Sequence, residues 1–175
     1  MITLKFFCPI LIQLCTNKQN MDIDKLRIAH LILVIIIASQ GIFYLLGASE
    51  AFRKLSTVAF AEQRRLLDGV IAGRFRIIYL LTLAMGLLII FLTRHSPQEK
   101  TFICTLAATL LLIADIIVAL KGNIPVNNIF SNFSPSSPSA PADWHFLQVR
   151  WISCMVIRGI YSTISLLIIL FSFYK

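Results

Sequence analysis

The sequence predicts an all-α fold, an integral membrane antiparallel four-helix bundle, and three observations carry that reading. Of the 175 residues, 58% are hydrophobic, and mean hydropathy is +0.83. A soluble domain is usually roughly 45–50% apolar, so this excess has no room in one small core and a lipid bilayer is the expected partner. Four apolar runs lie at about 28–47, 77–93, 102–120 and 151–174, of the length that crosses roughly 30 Å of hydrocarbon. Polar connections between them give an up-down-up-down order, with both termini on one side.

Residues 1–20 stand apart. Lys5 precedes FFCPILIQLC, which is similar to a signal-peptide core, but no A-x-A-like site follows and Pro9 interrupts the run. Met21 then opens MDIDKLRIAH. Residues 1–20 are read as an N-terminal extension, either upstream of a true start at Met21 or loosely interfacial. Residues 21–175 form a single four-span membrane domain.

The first run carries His30 near its start and Gln40 deeper. After it, Phe52, Leu55, Ala59, Leu66 and Val70 recur at helical spacing among Arg53, Lys54, Arg64 and Arg65. This pattern fits a helix on the membrane surface, a continuation of the first span beyond the bilayer, or a solvated connector. The second run ends at RHSPQEK, a short turn into the third. The third closes in GNIPVNN, where Gly122 is a good helix terminator and Pro125 opposes continuation. Asn123, Asn127 and Asn128 then read either as a C-cap and turn or as the mouth of a pocket. SNFSPSSPSAPAD is a low-complexity spacer. The fourth run starts near Trp151.

The net charge of +8 and pI of about 9.7 do not indicate a nucleic-acid partner, because the basic residues cluster in loops beside apolar runs, where anionic headgroups lie. A slight excess of Lys and Arg on the side of the 48–74 and 121–150 loops points that side to the cytoplasm. Cys8, Cys15, Cys104 and Cys154 have no metal-like spacing. His30 and His145 fall at opposite faces. No metal site, cofactor, nucleophile–base pair or phosphate loop is expected.

Asp115 and Arg158 carry most of the information. A charge at mid-bilayer costs roughly 2.5–3.5 kcal/mol on insertion scales and usually faces a bundle interior. Asp115 lies six residues before Lys121, about 9 Å deep, and Arg158 eight residues after Arg150, about 12 Å deep from the same side. Gln40, seven residues before Gly47, lies about 10 Å deep. One polar layer can hold all three. Trp151, Cys154, Arg158, Ser162 and Ser165 share one stripe of the fourth span; Cys104, Ala108, Asp115 and Ala119 share one in the third; Tyr79, Thr82 and Gly86 share one in the second. Small and polar residues on facing stripes either glue membrane helices together or line a pocket. The candidate binding residues are Asn123, Asn127, Asp115, Arg158, Gln40 and Trp151.

GNIPVN and the start of the fourth span carry a resemblance. The chain resembles a family of small four-span membrane proteins, largely of unknown function, that includes the fungal anthrone oxygenases. Members typically close the third span in G-N-[VI]-P-[LIV]-N and open the fourth with W-N-x-x-H-x-x-R. Gly122, Asn123, Pro125 and Asn127 match the first pattern; Trp151 and Arg158 match the ends of the second. Ile152 stands where asparagine is common and Met155 where histidine is common. The resemblance runs loosely from Met21 to the C-terminus. It implies a four-helix membrane bundle and, for the fungal members, oxidation of an anthrone by dioxygen without an evident metal or flavin. Methionine cannot take a proton, so a general base at position 155 is missing.

Three functions follow as expectations. The first is a membrane protein with a polar intramembrane pocket for a small apolar ligand, on the side of the 48–74 and 121–150 loops. The second is a cofactor-independent oxygenase acting on an apolar aromatic, anthrone-like substrate. The third is a transporter or channel subunit, which would need oligomers because four helices enclose little room. The oligomeric state is left open.

Overall fold

The computed structural model describes residues 4–132 and 143–174, with side chains from Ile23 onward. The side chains of the N-terminal extension and nearly all of the Ser/Pro spacer lie outside the described residues. Within them the fold is all helical: α1 (Leu4–Phe43), α2 (Ser49–Lys54), α3 (Thr57–Thr93), α4 (Lys100–Val118), α5 (Ile124–Ser131) and α6 (Trp144–Phe173). Four stretches are long and apolar enough to cross a membrane: Ile23–Lys54, Thr57–Thr93, Lys100–Ser131 and Trp144–Phe173. By length and composition this is a multi-pass membrane protein.

The four spans pack in a ring, with α6 against α4 and α1, and α3 against α1 and α4. The direction of each neighbour can be read from its contacts. Between α4 and α6, Lys100 Nζ donates to the Tyr174 carbonyl at 2.6 Å and Ser165 Oγ to the Ala108 carbonyl at 3.3 Å. Asn123 Nδ2 donates to the Trp151 carbonyl at 3.1 Å. Numbers rise on one helix as they fall on the other, so the pair is antiparallel. Arg27 Nη2 reaches the Ser172 carbonyl at 2.8 Å, which sets the start of the first span beside the end of the last.

Helices α1 and α6 approach most closely where both carry glycine. A Cβ on Gly159 would lie 2.8 Å from the Gly41 carbonyl oxygen, and one on Gly41 would lie 2.7 Å from Gly159 Cα. Only hydrogen fits on either side, which is how small residues let membrane helices pack backbone to backbone.

The helices run longer than the hydrophobic runs alone foretell, and two expectations are corrected. The basic stretch after the first span is divided: Ser49–Lys54 continues that span as α2, as one reading expected, and the rest forms no separate surface helix. The first span kinks through a wide π-type turn at Tyr44–Ala48, where Gly47 takes φ 142°, and ends with α2 at Lys54. Thr57 to Arg76 instead belongs to α3, one unbroken helix of 37 residues, about 55 Å at 1.5 Å per residue. Ser56 starts it by accepting from the Ala59 amide at 3.3 Å, an N-cap that relieves one unpaired donor of the first turn. The second correction concerns GNIPVN, which is not a turn. The chain passes through a π-type turn at Ala119–Asn123 straight into α5, with Pro125 in its first turn, where a missing N–H costs little. Proline removes one backbone donor from this turn, and Arg150 Nη2 donates to the Lys121 carbonyl nearby at 3.2 Å.

The extended ends of α3 and α6, with α2 and α5, build a head on the two-loop side. Its core is aromatic: Tyr44, Phe60, Phe130, Trp144 and Trp151 are buried, with Phe52 partly buried. Edge-on pairs join Phe60 to Phe130 and Trp151, and Phe130 to Trp144, each with ring centres 5.5 Å apart. This is the arrangement ring quadrupoles prefer.

Candidate functional site

The polar layer lies directly beneath this aromatic head. α4 supplies Asp115, 1% exposed, and α6 supplies Arg158. Arg158 Nε donates to Asp115 Oδ1 at 2.5 Å. α3 closes the ring: Tyr79 donates its hydroxyl hydrogen to Asp115 Oδ2 at 2.5 Å and accepts from Arg158 Nη2 at 2.9 Å. Both carboxylate oxygens and two of the three guanidinium nitrogens are therefore engaged at short range. A buried ion pair survives desolvation only when its remaining lone pairs and protons are satisfied in this way.

Arg158 Nη1 is the exception. Its partners are Asn123 Oδ1 and Met155 Sδ, both at 3.5 Å. The arginine side chain keeps 13% exposure where Asp115 keeps 1%. The least occupied donor of the layer is thus a charged one.

Asn123 bridges the layer to the head. It is buried, accepts weakly from Arg158 and donates to the Trp151 carbonyl. Trp151 in turn donates its indole N–H to Asn127 Oδ1 at 2.6 Å. Its ring carries the Arg64 guanidinium 4.3 Å from the ring centre, a cation–π contact. Arg64 also pairs with Asp68 one turn along α3. Asn128 is exposed and, among the described residues, makes no side-chain hydrogen bond to this network.

Of the residues singled out from sequence, the structure joins Asp115, Arg158, Asn123, Trp151 and Asn127 in one network. Gln40 is outside it. It is half-buried and, among the described residues, makes no hydrogen bond to the ion pair. Its neighbour Gly41 faces Gly159, so a helical step of about 100° turns Gln40 off that seam. On the loop side, Asn123, Trp151 and Asn127 bond to one another. A small space lies deeper, lined by His30, Thr82, Asp115 and Ser162 among others.

Sequence reasoning placed Tyr79 on an inward stripe but gave it no role. It missed Gln148, 1% exposed, whose Nε2 donates to the carbonyls of Phe52 at 2.7 Å and Leu55 at 3.2 Å and so closes the frayed end of α2. Extending the stripe of Trp151, Cys154 and Arg158 back by three residues would have found it.

Set against known proteins, the chain matches no family model, no curated protein and no solved structure.

Proposed function

We propose that this membrane protein binds a small, mostly apolar ligand carrying one hydrogen-bond acceptor, held by Arg158 beside Tyr79 and Trp151. The observation that carries the reading is the weakly occupied Arg158 Nη1. An acceptor oxygen at ordinary hydrogen-bond distance is a better partner than two contacts at 3.5 Å. Asp115 and Tyr79 keep the guanidinium charged and oriented. Asn123 is placed to share the ligand's polar group by turning its amide oxygen away from Nη1. Of the four spans α3 is the least buried, so the seam beside Tyr79 is the route for an apolar molecule arriving from the bilayer.

The test uses an aromatic ketone such as anthrone as the probe, read by quenching of tryptophan fluorescence in detergent micelles. Trp151 adjoins the site, and Trp144 provides the second signal. Quenching that saturates in the parent chain, weakens in Arg158→Lys and does not weaken in Met155→Leu, which frees Nη1 of one contact, supports the reading when helicity is unchanged. Identical curves in all three proteins would defeat it.

A second reading, a cofactor-independent oxygenase on an anthrone-like substrate, draws on the resemblance to the anthrone oxygenase-like family. Met155, at the position where that family commonly has histidine, touches Arg158 in this layer. Oxidation of an anthrone needs a base to take the first proton, and Met155→His would supply one. Dioxygen consumption with anthrone, measured for the parent and for that variant, checks it. No consumption by either removes the reading.

A further inference from the structure

The seam between α4 and α6 ends differently on its two sides. At the terminal end, Lys100 Nζ donates to the Tyr174 carbonyl at 2.6 Å and lies 3.8 Å from the centre of the Phe171 ring. Arg27, at the same border, bonds to Asp24 and to the Ser172 carbonyl and sits 4.4 Å from the centre of the Phe173 ring. The chain holds these two cations by itself. At the loop end, two cations meet without such partners. Arg150 Nη2 donates to the Lys121 carbonyl at 3.2 Å, which sets the guanidinium against the backbone that carries the Lys121 ammonium. Both residues are exposed. Among the described residues, neither side chain has an acidic partner or a stacked ring.

The surroundings of this pair are those of a lipid headgroup. The Asp115–Arg158 layer lies about 9–12 Å below it, counted down either helix, so the pair stands near the hydrocarbon border. Ile117, one turn below Lys121, and Ile157, two turns below Arg150, are exposed and continue the outward faces of α4 and α6. A Cβ on Gly122 would collide with Cys154 Sγ, so the two helices are sealed against each other just here. The cations therefore face outward rather than into the bundle. A partner must offer an anion above and apolar chains below.

We propose that the loop end of the α4–α6 seam binds one anionic phospholipid, with its phosphate held by Lys121 and Arg150 and its acyl chains lying over Ile117 and Ile157. A guanidinium carries five N–H donors in a fixed fork. The Lys121 carbonyl takes one and fixes the plane, and the others serve phosphate oxygens in the bidentate manner that arginine favours. The ammonium adds a second positive charge at the same anion. A headgroup with no cation of its own complements this pair, whereas choline would bring a third positive charge beside it. The site uses no residue of the Arg158 layer and stands independently of ligand binding there.

The test titrates the full chain in detergent micelles with phosphatidylglycerol or phosphatidylcholine of matched acyl chains, and counts bound lipid by native mass spectrometry. Phosphatidylglycerol is expected to bind about thirtyfold more tightly, about fivefold for each cation. Lys121→Gln should lower that preference about fivefold, and Lys121→Gln with Arg150→Gln should abolish it. Arg65→Gln with Arg74→Gln removes the same charge from exposed positions on α3 and should leave the preference intact. Equal affinity of the parent for both lipids overturns the proposal. So does an undiminished preference in Lys121→Gln, or an equal loss in the α3 variant. Displacement of the lipid by inorganic phosphate at constant ionic strength would assign the pair to a free anion and overturns it too. If the double variant at the seam does not fold, Lys121→Gln decides, because its ammonium holds no bond among the described residues.

Discussion

Tyr79 and Asp115 meet across α3 and α4, the phenol donating to Oδ2 at 2.5 Å while Arg158 holds Oδ1. The carboxylate is thereby shared between two helices, and α3 is tied to the α4–α6 pair by one hydroxyl group. Tyr79→Phe keeps the ring and removes that hydroxyl, leaving a buried oxygen and an arginine N–H each short of a partner. A loss of about 1–3 kcal/mol is expected, read by unfolding in mixed micelles. An unchanged midpoint would show that the hydrogen bond contributes nothing net.

Asp115→Asn is expected to destabilise less than Arg158→Ala, and the two are expected to couple. Removing either partner of a buried pair strands the other, at about 3–5 kcal/mol when the remaining charge is uncompensated. Asparagine still accepts from the guanidinium and donates to the phenol oxygen, so part of the ring survives. A double-mutant cycle measures the coupling, and additive effects would exclude the pair as an energetic unit.

Gly159→Ala is expected to separate α1 from α6, because its Cβ would meet the Gly41 carbonyl and Leu45 Cγ at 2.8 and 3.1 Å. Overpacking of this kind costs about 1–3 kcal/mol. Crosslinking yield between cysteines introduced on α1 and α6 should fall with stability. Full yield at unchanged stability would mean that the two backbones do not lie this close.

Pro125 and Arg150 are expected to compensate for one another. In the parent chain Arg150 donates to the Lys121 carbonyl, four residues before the proline, and Arg150→Ala should cost about 0.5–1.5 kcal/mol for one exposed hydrogen bond. In a Pro125→Ala background the backbone N–H is restored, and the same substitution should cost less. Equal costs in both backgrounds would separate the two residues.

Depth was legible in the sequence; rotation about the helix axis was not. Counting residues from the polar ends put Asp115 and Arg158 at matching levels, because a helix rises by a fixed amount per residue in any surroundings. The same count put Gln40 at that level too, and it lies off the seam, because which face turns inward depends on the Gly41–Gly159 contact between two spans. The ends of the helices were hidden for a different reason. Gly122 and Pro125 are stop signals where freed carbonyls have nothing to bind, but here Arg150 arrives from α6 to take one. The stretch around Leu66 and Val70 has an amphipathic pattern that suits several placements, and only its unbroken continuity with Ile77 and Tyr79 assigns it to α3.

The wide turn at Ala119–Asn123 carries one residue more than a regular α-helical path needs, and that residue sets a phase. Everything after it is rotated by about 100° relative to an uninterrupted helix. In the present phase Asn123 looks toward Trp151, and Val126 and Phe130 look into the aromatic head. Deleting a single residue between 119 and 122 would let the turn relax to regular α-helix with the head still in phase, whereas straightening the turn with every residue kept would swing Phe130 toward the outside and an exposed neighbour such as Ile129 inward. The head is therefore keyed to the wide turn itself, and a deletion there, which only removes the stored residue, should be better tolerated than one within α4 or α5, which have no residue to spare.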